Sequence, residues 1–343
     1  MKTPEADATP VRRRIVLTSE TAAKAPEQFG RLTDAGFAVE QRFDLADEHD
    51  AEVLMRGIDG AWGVVANSSN RFDRATLHRL RHLRVIARTG VGYDAIDVAA
   101  ATAHGVLVFT TPGTVTESVA DFTLALMLGC LRDIVGLNAA VRSGEWRARR
   151  LGRDLCGTTV AIVGLGAIGQ AVARRLAGFS CRVLAVDPLA DAQFWEPRGV
   201  SILRLEDALP QADVVTVHVS LTPETRGMIG PRELALLRPT AMIVNTSRGA
   251  VLDEAALVDA LQSGSIAGAA LDVFEREPLP PDHALVSLDN VVLTGHAASS
   301  SVCAVRRMCD AVVNGVLAAA AGAADRRLQP CHDGRSTDGA SLP

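Results

Sequence analysis

The segment VAIVGLGAIGQAVARRLAG places Gly164, Gly166 and Gly169 directly after a short apolar run and at the head of an amphipathic helical pattern. In such a segment the first glycine permits a tight turn between strand and helix. The second lets the backbone approach a pyrophosphate, the third lets helix and strand pack closely, and the helix N-terminus attracts the anion. Asp187 ends the next β-like run, RVLAVDP, where a carboxylate can accept hydrogen bonds from both adenosine ribose hydroxyls and would repel a 2′-phosphate. Alone, GLGAIG is a tight strand-to-helix turn and Asp187 a strand-end cap. In the order strand, glycines, helix, acid, they predict a Rossmann dinucleotide site that takes NAD rather than NADP.

Around this unit, short β-branched runs alternate with helical patterns. RRIVLTS is followed by a helix to Ala35, then FAVEQRF, GAWGVVANS, LRVIARTG, a helix over AIDVAAATAHG, and VLVFTT. After Gly157 a second series runs through TVAIVGLG, RVLAVDP, DVVTVHV, AMIVNTS, GAALDVF and NVVLTGH. Each series is a βαβ rhythm and predicts its own parallel sheet. The fold class is therefore α/β with two doubly wound parallel-sheet domains, a NAD-binding Rossmann domain and a discontinuous, flavodoxin-like substrate domain. The expected boundaries are 13–114 with 300–325 for the substrate domain and 115–299 for the NAD-binding domain, with 1–12 and 326–343 as loose tails. The last helix, from Ala304 to about Ala323, is expected to return to the first domain. Glu117 to Trp146 reads as one long helix, apolar on most faces, and so predicts burial, including at a subunit interface.

Composition narrows the partners. A formal charge of −5, without Lys/Arg blocks interleaved with aromatics, argues against nucleic acid. The longest apolar run, Val119 to Leu131, is too short to span a bilayer and carries Asp121, and the N-terminus lacks a signal-type apolar segment, so a cytoplasmic protein is expected. The six cysteines lack C-x-x-C spacing, and no metal site is expected.

Three later segments each leave a polar group at the end of an apolar run: VNTSRG gives Arg248, LDVFEREP gives Asp272 and Glu277, and VVLTGH gives His296. Strand carboxyl ends are where open α/β sheets bind ligands. Reduction of a 2-oxo acid needs a cation for the carboxylate and carbonyl, an acid to deliver a proton, and a group that keeps that acid charged. Arg, His and Glu suit those three tasks. Taken singly, Arg248 is equally a surface ion-pair member, Glu277 a turn residue before Pro278, and His296 a satisfied strand-end histidine.

The order GLGAIG, Asp187, NTSRGAVLDEAALVDAL, GAALDVFEREP, LTGH resembles the D-isomer-specific 2-hydroxyacid dehydrogenase family, and within it the phosphoglycerate dehydrogenase-like branch. The similarity extends upstream through RTGVGYDAIDVAAATAHGVLVFTTPGTVTESVADFTLALML and covers about residues 60 to 310. The resemblance implies hydride transfer between nicotinamide C4 and substrate C2, with NAD (NADH) as cofactor, a small 2-oxo or 2-hydroxy acid as substrate, and a homodimer. It implies that Arg248 binds the substrate carboxylate and carbonyl, that His296 exchanges the proton, and that Glu277 hydrogen-bonds His296 and raises its pKa. Cofactor contacts fall on Gly164, Gly166, Ala167, Ile168, Gly169, Asp187, His218, Val219, Thr246 and Asp272, the last against the nicotinamide amide. Asn67, Val91 and Gly92 join Arg248 as substrate-binding positions, the Gly90–Gly92 turn offering backbone N–H groups in a cleft between the domains.

The sequence departs from the family at three places. Asn67 stands where 3-phosphoglycerate enzymes tend to carry an arginine, which weakens the case for a phosphorylated substrate. Gly295 replaces a proline before the histidine and loosens the backbone there, and Ser220 replaces another proline. No regulatory extension is expected beyond residue 325, as in short-form members. Two further readings fit the same motifs: an NAD-sensing corepressor-like interaction protein, and a phosphite-type dehydrogenase. Formate enzymes carry glutamine where this chain has Glu277, which argues against that activity.

Overall fold

A computed structural model describes residues 13–46, 48–146 and 151–322. They form two compact units, one of residues 13–115 with 302–322 and one of the residues between 116 and 301. The expected tails lie outside the described residues, as do 323–325.

The first unit holds a parallel sheet of β1 (Arg14–Leu17), β2 (Ala38–Gln41), β3 (Gly63–Ala66), β4 (Val85–Arg88) and β5 (Leu107–Phe109). Their spatial order is β2-β1-β3-β4-β5, the doubly wound flavodoxin-like order. Strands covered on both faces should be apolar throughout rather than alternating, and β3 and β4 are buried at every position. The helices start where acidic caps supply acceptors: Asp50, Asp73 and Asp97 each take a first-turn amide of the helices Ala51–Ile58, Arg74–Arg79 and Val98–Ala103. The helix Val302–Ala320 packs on this unit. Its Gly315 lies so close to Phe109 that a Cβ there would sit 2.3 Å from the ring, which fixes the approach of helix to sheet.

The second unit holds seven parallel strands, β6 (Thr159–Val163), β7 (Arg182–Val186), β8 (Val200–Ile202), β9 (Val214–Val217), β10 (Met242–Asn245), β11 (Gly268–Leu271) and β12 (Val291–Leu293). The order β12-β11-β10-β9-β6-β7-β8 reverses direction between β6 and β9. Such a reversal opens a crevice outside the strand carboxyl ends, where ligands bind in open α/β sheets. Val160, Ile162, Val214, Val215 and Ile243 form its solvent-free centre.

Two features of the second unit differ from expectation. The stretch from Glu117 to Trp146 is two helices, Thr116–Leu131 and Ile134–Arg142, bent by 63°. The break is at Asp133, whose left-handed φ of +50° ends the first helix, and its carboxylate folds over Gly136. The first helix is buried as expected at Leu124, Leu126, Met127 and Leu131, whereas Ile134 and Val135 of the second are exposed. The edge strand β8 did not stand out in the sequence. No single helix among the described residues is long and apolar enough to cross a membrane.

Candidate active site

The glycine segment behaves as its chemistry requires. Gly164 has a φ of +93°, and a Cβ there would lie 2.8 Å from Val219 Cγ1 and 2.9 Å from the carbonyl carbon of His218. Gly169 is tighter still, since a Cβ would fall 2.1 Å from the Gly164 carbonyl oxygen. Gly166, by contrast, faces open space and caps the helix Ala167–Leu176, so its backbone is what a ligand would meet. Ala167 and Ile168 form the first turn of that helix, where amide hydrogens lack intrahelical partners. At the end of β7, Asp187 accepts the Leu165 amide on Oδ2 at 2.8 Å and the Leu189 amide on Oδ1 at 2.9 Å. The carboxylate is thereby fixed beside the glycine turn. A pyrophosphate-sized anion with an adjoining ribose diol fits this cradle.

At the end of β9, the His218 amide donates to the Val163 carbonyl, and its Nε2 meets the Thr216 hydroxyl at 2.9 Å. Burial pushes this imidazole down to about 3, so the ring is neutral at physiological pH. Thr246 turns its hydroxyl to Thr123 at 3.0 Å. Because the Thr123 hydroxyl donates to the Val119 carbonyl, Thr246 is the donor in that pair.

The loops after β10, β11 and β12 are tied together by backbone contacts. Asn245, fully buried, accepts the Ser247 amide and hydroxyl on Oδ1 and donates from Nδ2 to the Arg248 carbonyl at 2.9 Å. This side chain, which sequence reasoning missed, builds the turn that presents Arg248. An Asx turn followed by glycine was its available signal. Gly249 then presses on the next loop: a Cβ there would fall 1.8 Å from the Phe274 carbonyl carbon.

Asp272 is also fully buried. Its carboxylate accepts the Thr294 hydroxyl at 2.6 Å and the Ala297 and Ala298 amides at 2.8 and 2.9 Å, while its carbonyl accepts the His296 amide at 2.7 Å. It therefore holds the turn that carries His296, and a nicotinamide amide would be a further donor to a carboxylate already engaged. His296 itself has a φ of +52°, a conformation that this network sustains.

His296 Nδ1 meets Glu277 Oε2 at 2.7 Å, and Glu277 Oε1 accepts the Phe274 amide at 3.1 Å. Burial works to raise the Glu277 carboxyl. The His296 hydrogen bond and charge, the Phe274 amide and the Arg248 guanidinium outweigh it and hold the group below its ordinary range. Arg248, Glu277 and His296 thus form one electrostatic cluster at the strand carboxyl ends.

The remaining expected positions, Asn67, Val91 and Gly92, belong to the first unit. Asn67 follows β3 and donates from Nδ2 to the Ala46 carbonyl at 3.0 Å. Val91 is exposed, and the Gly92 carbonyl accepts from Nε of the buried Arg88 at 3.1 Å. Among the described residues no group of three or more His, Cys, Asp or Glu side chains could hold a metal ion.

A parallel sheet with a glycine cradle at its reversal point and a Rossmann-type acid after the second strand defines a dinucleotide-binding protein. Comparison with known proteins narrows the class. Residues 124–298 match the model of the D-isomer specific 2-hydroxyacid dehydrogenase NAD binding domain. A glyoxylate reductase of Korarchaeum cryptofilum is 42% identical over 82% of this chain and 87% of its own length. A D-3-phosphoglycerate dehydrogenase of Archaeoglobus fulgidus is 39% identical over 83% of this chain, which spans 53% of that longer protein. Among solved structures, a Thermus thermophilus protein superposes with a TM-score of 0.82 at 37% identity, covering 90% of this chain and 97% of its own. An NADPH-dependent glyoxylate/hydroxypyruvate reductase of Sinorhizobium meliloti, in complex with NADP and malonate, gives 0.78 at 34% identity over 90% and 93%. The chain belongs to the D-isomer-specific 2-hydroxyacid dehydrogenase family. It is an NAD-dependent oxidoreductase acting on 2-hydroxy acids.

Proposed function

We propose that this enzyme reduces a small unphosphorylated 2-oxo acid of the glyoxylate class with NADH, with Arg248, Glu277 and His296 as the working side chains. The observation that carries this reading is the 2.7 Å contact from His296 Nδ1 to Glu277 Oε2, with the Arg248 charge acting on the same carboxylate. Bound nicotinamide supplies the hydride that the substrate carbon accepts. The planar Arg248 guanidinium matches a carboxylate in two parallel hydrogen bonds and polarises the adjoining 2-oxo group. His296, oriented through Nδ1, delivers a proton from Nε2 to the carbonyl oxygen, or takes one from the hydroxyl in the reverse direction. Ionised Glu277 stabilises the imidazolium before that transfer.

The turn Gly164 to Gly169, with Ala167 and Ile168, takes the pyrophosphate. His218, Val219, Thr246 and Asp272 line the remainder of the cofactor. Asp187, pinned by two amides, favours NADH over NADPH because its fixed charge repels a 2′-phosphate. Asn67, Val91 and Gly92 are assigned to the substrate. A neutral amide bound to the Ala46 carbonyl at position 67 offers a phosphate no guanidinium, which favours glyoxylate over phosphorylated acids. The exposed Ile134, Val135 and Val141 of one helix support a homodimer, and dependence on the intracellular nicotinamide pool supports a cytoplasmic setting.

A panel of glyoxylate, hydroxypyruvate, pyruvate and larger 2-oxo acids, assayed by cofactor absorbance with NADH and NADPH, tests the reading. Fastest turnover is expected for the smallest acids with NADH. Glu277→Gln should lower the reduction rate, because a neutral amide no longer stabilises the charged ring that delivers the proton. Absence of NADH oxidation with every 2-oxo acid would defeat the proposal.

A further inference from the structure

Glu277 lies on a loop between β11 and the 3-10 turn Ala284–Ser287, not on a strand, so its position depends on what holds that loop. A second carboxylate does so. Glu254, in the first turn of the helix Glu254–Gln262, is 9% exposed. Its Oε2 accepts the Glu275 amide at 3.1 Å, and its Oε1 lies 3.2 Å from His283 Nε2.

The hydrogen positions follow from the surroundings. His283 Nδ1 accepts the Leu285 amide at 3.3 Å, so in the neutral ring the hydrogen is on Nε2 and is donated to Glu254. Capping does not account for Glu254, because Asp253 already accepts the Ala256 amide at 3.0 Å as the N-cap of this helix. Burying a carboxylate is costly unless it is well bonded. The bonds that offset this cost run to the loop of Glu277 and to the turn that follows it.

We infer that Glu254 and His283 are positioning residues for the reaction, clamping the Phe274–Glu277 loop so that Glu277 meets His296 Nδ1. This rests on the roles given to Glu277 and His296 above. The connection runs from the Leu285 amide through His283 and Glu254 to the Glu275 amide. One residue earlier, the Phe274 amide binds Glu277, whose other oxygen binds His296. Gly249 presses the same loop from the Arg248 side, where a Cβ would lie 2.4 Å from the Glu275 nitrogen, so the loop is held between the two.

The test compares wild type with Glu254→Ala, Glu254→Gln and His283→Ala in two readouts, glyoxylate reduction kinetics and the low-field proton resonance of His296 Nδ1–H. The resonance is assigned by its loss in His296→Asn. Loss of both Glu254 contacts should lower kcat about tenfold in Glu254→Ala, and loss of the His283 link about threefold in His283→Ala, with KM and NADH affinity changed less than about twofold. The resonance should move or broaden in both variants. Glu254→Gln keeps an acceptor for the Glu275 amide and should restore most of kcat and the wild-type resonance. A folded Glu254→Ala enzyme with unchanged kcat and resonance overturns the inference. If that variant does not fold, unchanged kcat and resonance in His283→Ala overturn it equally. If wild type reduces no 2-oxo acid, the proposed function fails, while the resonance still decides whether Glu254 positions Glu277.

Discussion

His296 occupies a left-handed backbone conformation that a non-glycine residue adopts only when its surroundings impose it. Here the Asp272 carbonyl and carboxylate bind three successive amides from His296 to Ala298, so the ring is aimed by the backbone rather than by a rotamer alone. Arg248 works differently, through charge. Arg248→Ala should cost about 3 to 4 kcal/mol in transition-state stabilisation, read as a fall in kcat/KM of more than about a hundredfold. A near-normal kcat/KM would remove it from the site. His218 makes a separate prediction about stability. Its folded pKa is depressed to about 3 from 6.5, so its contribution is complete above the unfolded value and is lost as pH falls from there towards 3. Between pH 7 and pH 5, denaturant unfolding should show His218→Asn losing less stability than wild type, by on the order of 1 to 2 kcal/mol. An identical loss in the two proteins would contradict the neutral ring. Arg248, Glu277 and His296 were legible in the sequence because each ends or follows an apolar strand and carries distinctive chemistry. Glu254 was not, since the Glu275 amide and the His283 ring are brought to it only by the fold, whereas Asn245, whose partners lie two and three residues on, left only the weaker mark of an Asx turn before glycine.

At the level of elements, the strand–glycine–helix unit was the most legible part of the chain, because backbone sterics leave it little alternative. Gly169→Ala puts that to the test. A methyl group 2.1 Å from the Gly164 carbonyl must push the helix Ala167–Leu176 off its strand. The variant should lose about 1 to 3 kcal/mol of stability and most of its NADH affinity, measurable by denaturation and by quenching titration. Retained affinity would mean that the cradle tolerates the shift. Two elements were not legible. The strand β8 is three residues at the sheet edge, too short for a period to show. The break at Asp133 interrupts an apolar pattern that continues on both sides, and a left-handed aspartate leaves no mark in hydrophobic periodicity.

For the molecule as a whole, the family model falls within the second unit, while the curated relatives align over most of both. The apolar residues left on the helix Ile134–Arg142 point to self-association. Sedimentation should show a dimer at micromolar concentration, and Val135→Asp should drive it towards monomer. A wild-type monomer at every concentration would rule the dimer out. The course of the chain has one more consequence. Within the second unit the hydroxyls of Ser118 and Ser301 meet at 2.7 Å, and within the first the Arg307 side chain binds the Thr114 carbonyl at 2.9 Å. Each unit therefore has its two cut ends side by side, the geometry that domain insertion demands. Residues 116–301 are in effect a cassette that recombination could lift out or graft in whole, leaving a host that a short splice would close.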